Sequence, residues 1–382
     1  MMEWEPVYRV AMLSFLVCMV LGAVVSKTNF CTMGAVSDWV NMGSKGRLRA
    51  WFLAIGIAIL ITQVLQYRGL IDTAEAIYLT PNFSWLGYLL GGMLFGIGMT
   101  LASGCANRTL VRVGGGNLKS VVVMLIIGIS AYMTMRGVLA LVRVNAIEIT
   151  NIDLAAHGVA DQGLGTLISS ALGLENIELV SKIVAVILGG GLIVFALISK
   201  ELRGSFNNLL AGVMIGLIVP MGWYLTGVVG FDDFEPIRFE SYTFTGPTAD
   251  GLMYLLTFTG STINFGIAAV FGVIAGSFLH VILTGKFRLE YFSDKVDMIR
   301  HMVGGVLMGF GGVLALGCTI GQGITGMSTL ALGSLLALAS IIFGSALTMK
   351  VDYYLLDEEG FIFALRNALA DMHLFPSVQK KD

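Results

Sequence analysis

The sequence predicts an all-α polytopic membrane protein of about nine transmembrane helices, with short re-entrant helices and an inverted internal repeat. Three observations predict it. Of 382 residues, 56% are hydrophobic and 13% charged, with a mean hydropathy of +0.84, whereas soluble domains carry roughly 25% charged residues. Nine apolar runs reach the length of about 20 residues needed to cross roughly 30 Å of hydrocarbon. A glycine-rich pattern recurs at a constant offset, Gly91 reappearing as Gly304. The 49 glycines against 6 prolines suit closely packed membrane helices.

The runs lie near 8–26, 47–66, 84–104, 118–142, 178–199, 207–227, 264–284, 299–317 and 327–349. Before the first, Glu3 and Glu5 precede any Lys or Arg, unlike a secretory n-region, so that run is expected to be retained. Four further stretches, 28–40, 105–113, 249–263 and 319–325, are apolar but too short or too broken to cross. They read as re-entrant, because their unpaired backbone groups are tolerated only when buried in protein or lining a watery cavity. A polar linker, 143–177, separates a first half (1–142) from a second (178–349), and an amphipathic tail, 350–382, follows.

Loop charges orient the chain. Lys45, Arg47 and Arg49, then Arg108, Arg112 and Lys119, then Lys200 and Arg203, then Lys286, Arg288, Lys295 and Arg300 all fall on one side. Asp72, Glu75, the acidic linker, Asp232, Asp233 and Glu235 fall on the other. Positive-inside counting puts the N-terminus outside and the C-terminus inside. A formal net charge of −2 points to neither a nucleic-acid binder nor an acidic-tail protein.

The repeat matches Gly91–Gly98 to Gly304–Gly311, and Ala102-Ser103-Gly104-Cys105 to Ala315-Leu316-Gly317-Cys318. The topology runs the two copies in opposite directions, as in transporters and channels whose sites lie at interrupted helices near the midplane. The GxxxG pairs, Gly92/Gly96 and Gly305/Gly309, are read as close helix packing.

Each repeated helix ends in a cysteine followed by a polar stretch, Cys105-Ala106-Asn107-Arg108-Thr109 and Cys318-Thr319-Ile320-Gly321-Gln322-Gly323, and Cys31 stands in a similar place after the first run. Cys18, mid-run, reads as core packing. A thiol offers a weak donor and a soft sulfur without fixed charge, which suits soft sulfur or selenium species. Helix starts beside such breaks add N–H groups and a positive dipole end that favour an anion. Arg108, Arg112 and Lys119 add attraction on the inner side, or serve only as inside-loop charges. Neither CxxC nor a zinc spacing occurs; the histidines, His157, His280, His301 and His373, are isolated, and no Ser/His/Asp, HExxH or Walker pattern is visible. No metal, cofactor or catalytic residue is expected.

These cysteine loops, with Pro220–Gly227 and Ser241–Pro247, resemble the YeeE/YedE family of sulfur-transport membrane proteins over nearly the whole chain. The resemblance implies an hourglass of transmembrane and re-entrant helices, a multi-pass transporter of the bacterial inner membrane rather than an enzyme, and three pore cysteines passing thiosulfate by S–H hydrogen bonding. Carried over by motif, those are Cys31, Cys105 and Cys318, with Asn107, Arg108, Gln322 and Trp223 as supporting residues. The second half's counterpart of the Cys31 loop is expected at Gly222-Trp223, without a thiol. Some relatives handle selenium, and some pair with a small TusA-like sulfur carrier, here expected as a separate protein. A membrane thiol oxidoreductase is the rival from another class. It needs a resolving cysteine close to the attacking one, and the wide sequence spacing argues against that.

Overall fold

The computed structural model describes residues 5–232, 237–356 and 360–372; Glu3, Asp233, Glu235 and His373, named above, lie outside them. The first part of the chain forms α1 (Pro6–Thr28), α2 (Thr32–Met42), α3 (Gly46–Tyr67), α4 (Gly92–Leu101), α5 (Ala106–Gly114) and α6 (Leu118–Arg136). The linker carries α7 (Leu164–Leu172) and, where Ile152–Asp153 pairs back on Asn82–Phe83, a two-residue antiparallel ribbon. The second part forms α8 (Ile177–Leu197), α9 (Phe206–Tyr224), α10 (Thr245–Leu256), α11 (Phe265–Leu283), α12 (Lys295–Leu314), a π-helical segment Gly321–Gly326, α13 (Leu332–Leu356) and α14 (Phe361–Asp371).

The protein is an all-α, multi-pass membrane protein. Among the described residues, eight helical segments are long and apolar enough to cross a bilayer. The remaining expected run forms the helix α12, which is not among those eight, since its first two turns carry Asp297, Arg300 and His301 and so dilute its apolar character. The broken stretches became short helices: α2 has 11 residues, α5 has 9 and α10 has 12, each well below the roughly 20 needed to cross.

Packing follows the repeat. α4 and α12, the two copies, lie against each other antiparallel: a Cβ on Gly98 would come within 2.6 Å of the Gly304 carbonyl and one on Gly304 within 2.6 Å of the Gly98 carbonyl, while Gly91 and Gly311 face each other in the same reciprocal way. Each copy spends its other glycines on a second partner. Gly92 and Gly96 press on α13, at Ser340 and Ile341; Gly305 and Gly309 press on α6, at Ile126 and Ile127. The GxxxG pairs are thus packing devices, as expected. The remaining large interfaces exchange in the same manner, α1 on α11 through Gly272 and Gly276, and α9 on α3 through Gly212 and Gly216. Helices in lipid gain nothing from hiding apolar surface that lipid already covers, so backbone approach at glycine supplies the attraction.

One expectation is corrected here. Trp223 lies in no loop; it is the penultimate residue of the 19-residue helix α9. Cys31 precedes α2, and the residue at the repeat offset from it, Phe244, precedes α10 in the same way. The counterpart of the Cys31 break is therefore the non-helical segment ending at Phe244.

Candidate functional site

The three cysteines occupy one local structure built three times. Asn29, Ser103 and Leu316 adopt left-handed backbone at φ 53°, 56° and 57°, a conformation unusual for residues with a Cβ. Each ends a helix, and the cysteine follows two residues later. The closure is the same in both repeat copies: the Gly104 N–H donates to the Met99 carbonyl and the Gly317 N–H to the Gly312 carbonyl, each at 2.8 Å, the six-to-one bond that terminates helices. Each cysteine then opens the next helix. Its carbonyl accepts the N–H four residues on, from Ala35, Thr109 and Gln322 at 2.9, 2.9 and 2.8 Å. The Cys318 sulfur accepts from the Gly321 N–H, three residues on, at 3.4 Å, and the Cys31 and Cys105 sulfurs lie near the matching N–H groups of Gly34 and Arg108. Phe244 holds the fourth such place, accepting from Thr248 at 3.2 Å.

These helix starts converge. The Cys31 and Cys105 thiols lie close enough to act on each other, and Cys105 also lies near the Thr319 hydroxyl, next in sequence to Cys318. Cys318 lies 3.8 Å from the Thr243 hydroxyl. Exposure falls from 8% at Cys31 through 3% at Cys105 to 0% at Cys318, so the row is closed and side chains must part for anything to pass. The pairing of Cys31 with Cys105 overturns one sequence argument: cysteines far apart in the chain are neighbours in space, so spacing does not exclude a dithiol. Cys18 stands apart, packed in the α1–α11 interface beside Tyr242.

Buried polar atoms without partners gather beside the thiols. The hydroxyls of Thr32 and Thr319 and the amide oxygens of Asn107 and Gln322 are of this kind. Such groups cost roughly 1–3 kcal/mol each when left unpaired, which favours a polar guest. The Gln322 amide nitrogen donates to the Ala315 carbonyl. Arg108 donates to Asn29 Oδ1 at 2.8 Å and lies within electrostatic reach of Cys31 and Cys105. The other two cations expected to help are engaged elsewhere: Arg112 donates to the Ser103 carbonyl at 2.9 Å, and Lys119 pairs with Asp297 at 2.6 Å. Among the described residues, no group of three His, Cys, Asp or Glu side chains is placed to hold a metal.

At the end of the bundle where α1 begins, a vestibule of about 580 Å³ reaches Thr243 and Gly317, beside Cys318. Trp223 lines it, fully buried, its indole N–H donating to Ser328 Oγ at 3.0 Å and its ring stacked on Phe239. The segment 240–243 forms one wall and is laced to the bundle by bonds from Thr226 to the Glu240 carbonyl, from Ser241 to the Val219 carbonyl and from Thr325 to the Tyr242 carbonyl. Tyr78 and Glu240 were not singled out in the sequence, and Thr243 entered it only as part of the motif Ser241–Pro247; only the packing of the ordinary loop around Tyr78 against this segment brings them to the thiols. A second recess of about 910 Å³ at the same end, among Asp72, Glu75 and Lys182, has no cysteine in its lining.

The chain matches the family model for sulphur transport over residues 27–347, which takes in all three clustered cysteines. It belongs to the sulphur transport family. It is therefore a transporter of sulfur-containing species rather than an enzyme. Two curated relatives, each named thiosulfate transporter TsuA, are similar along most of their length. The one from Escherichia coli strain K12 is 29% identical over 335 residues, covering 82% of this chain and 86% of the relative. The one from Spirochaeta thermophila is 28% identical over 336 residues, covering 86% and 95%.

Proposed function

We propose that this protein imports thiosulfate, or a closely related small sulfur-containing anion, across the bacterial inner membrane, along the row Cys318, Cys105, Cys31. The carrying observation is the convergence of three helix starts, each opened by a thiol. A dianion needs compensation, but strong ionic pairing in a dry centre would hold it too long, since conduction demands several weak sites in succession. Neutral S–H donors at positive helix ends provide that, each start contributing about half an elementary charge. The unpaired hydroxyls of Thr32 and Thr319 add donors along the way. The names of the two relatives support the substrate.

In this reading residues 1–142 and 178–349 form the two halves. Loop charge sets the vestibule and the N-terminus outside and Arg108 and the C-terminus inside. Arg108 draws the anion past Cys31 toward the cytoplasm, where a separate TusA-like sulfur carrier would receive it. Labelled thiosulfate uptake into proteoliposomes holding only this protein tests the proposal. Uptake that excess sulfate and selenite fail to compete is the expected result. Accumulation no greater than in empty liposomes would overturn it.

A further inference from the structure

One group in the vestibule runs against the passage of an anion. Glu240 lines the cavity together with Tyr78, Thr243 and Gly317. Its main chain is fixed at both ends by Thr226, whose hydroxyl donates to the Glu240 carbonyl at 2.7 Å and accepts from its N–H at 3.3 Å. Its carboxylate, in contrast, accepts no hydrogen bond and joins no ion pair among the described residues. Tyr78, 4% exposed, lies in the electrostatic reach of both Glu240 and Cys318, and its hydroxyl makes no hydrogen bond among the described residues. An unpaired carboxylate and an unpaired phenol thus flank the place where an anion first meets a thiol.

The other elements packed around that carboxylate offer it no cation. α1 contributes Val7 and Val10, α9 contributes Trp223, the start of α11 contributes Asn264 and Phe265, and α12 contributes Gly312 and Val313, none of them charged. The charged neighbours are Arg238 on the same segment and Asp250 of α10. Arg136 acts on Asp250, and Arg143 is committed to Glu148 and to the Thr134 carbonyl.

Building on the thiosulfate reading above, we propose that Glu240 is a proton-binding site linked to admission of the anion: thiosulfate occupying the vestibule beside Tyr78, Thr243 and Cys318 draws one proton from the vestibule water onto the Glu240 carboxylate. That water relays the proton from the buffer acid, whose own bond to it breaks as the O–H bond forms on the carboxylate, and nothing is oxidised or reduced. Burial lifts the Glu240 pKa to about 7, with Arg238 opposing and Asp250 adding to the rise, and a neighbouring dianion raises it further. The sign follows from linkage: a group that binds a proton on ligand binding makes affinity fall as pH rises, here by up to about ten-fold per pH unit above about pH 7. Thiosulfate stays a dianion throughout that range, so the proton belongs to the protein.

The experiment is titration calorimetry of thiosulfate into the purified full-length chain from about pH 6 to about pH 8.5, in two buffers of different ionisation enthalpy, which counts protons. The parent should take up to about one proton per thiosulfate above pH 7. E240Q should take up close to none and bind at high pH as tightly as the parent does at low pH. E240D, which keeps a titrating group, should retain uptake with a displaced midpoint, and this guards against misfolding of the amide variant. Thiosulfate binding by the parent without proton uptake, or undiminished uptake in E240Q, would overturn the inference alone. No thiosulfate binding by the parent at any pH would overturn the functional reading and this inference with it.

Discussion

The two halves share one scaffold and differ in what they place at its breaks. In the first, Cys31 and Cys105 open α2 and α5 and lie close to each other beside Arg108. In the second, Cys318 stands alone; the place matching Cys31 holds Phe244, and Thr243 beside it touches Cys318 and faces the vestibule. A symmetric frame thus carries an asymmetric lining, broad and mixed in charge where α1 begins, narrow and thiol-rich with an arginine at the other end. The backbone repeat supplies helix starts at the centre, and side-chain divergence gives the proposed route a direction.

The scaffold is the most sensitive part of that comparison. Gly304→Val would drive a methyl-bearing carbon into the Gly98 carbonyl, and neither helix can retreat without losing its second glycine face. The expected outcome is no monodisperse protein on size-exclusion chromatography. Gly190→Ala, where a Cβ meets none of the described residues within 4 Å, should behave as the parent. A stable Gly304→Val protein would remove the antiparallel crossing from the account.

Next in size are the thiols. Cys105→Ala or Cys318→Ala removes a donor from a closed row, and a loss of about 1.4–3 kcal/mol in a buried hydrogen bond translates to about ten- to hundred-fold slower uptake. Cys18→Ala, in the α1–α11 interface, should leave uptake within about two-fold, since a Cys to Ala change leaves only a small cavity. Normal uptake in all of these variants would contradict the thiol route. Arg108→Gln should cost less, about three- to ten-fold in apparent affinity, the scale of 0.6–1.4 kcal/mol, because the helix starts remain. Its effect should weaken at high salt, as uptake titrations in added sodium chloride would reveal.

The smallest effect separates a bystander cation from a working one. Lys119 holds the Asp297 carboxyl below its ordinary range, so their pairing contributes above roughly pH 4 and declines as pH falls. Lys119→Gln should lower stability by at most about 1 kcal/mol in thermal unfolding near neutral pH and leave uptake unchanged. A clear transport defect there would bring Lys119 into the pathway.

Much of this was legible in the sequence because glycine spacing and hydropathy are local signals. The nine runs, the four broken stretches (three short helices and one π-helical segment) and the glycine repeat correspond to real elements, and the capping geometry of Cys105 and Cys318 repeats because the residues around them repeat. The misplacement of the fourth break has a physical cause. Gly222-Trp223 looks like a helix interruption by composition, yet α9 continues through it, since a buried glycine against Ser241 and Tyr242 serves packing as well as turning. Phe244, apolar and unremarkable in sequence, gave no sign that it holds a helix-start position. Neighbours distant in the chain, such as Cys31 with Cys105 or Tyr78 with Glu240, are set by tertiary packing alone. The commitment of Lys119 to Asp297 is of the same kind.

The claim that anions pass the central thiol is tested most directly by placing a charge there. Labelled thiosulfate uptake by Cys105→Asp, with Cys105→Ser and the parent measured alongside in proteoliposomes of matched protein content, reads it out. A carboxylate at that buried position repels a dianion strongly in a low-dielectric surround, so the Asp variant should be blocked. The Ser variant, which keeps a donor but not the soft sulfur, should transport poorly. An Asp variant as active as the parent would contradict the account, because Cys105 would then lie off the path.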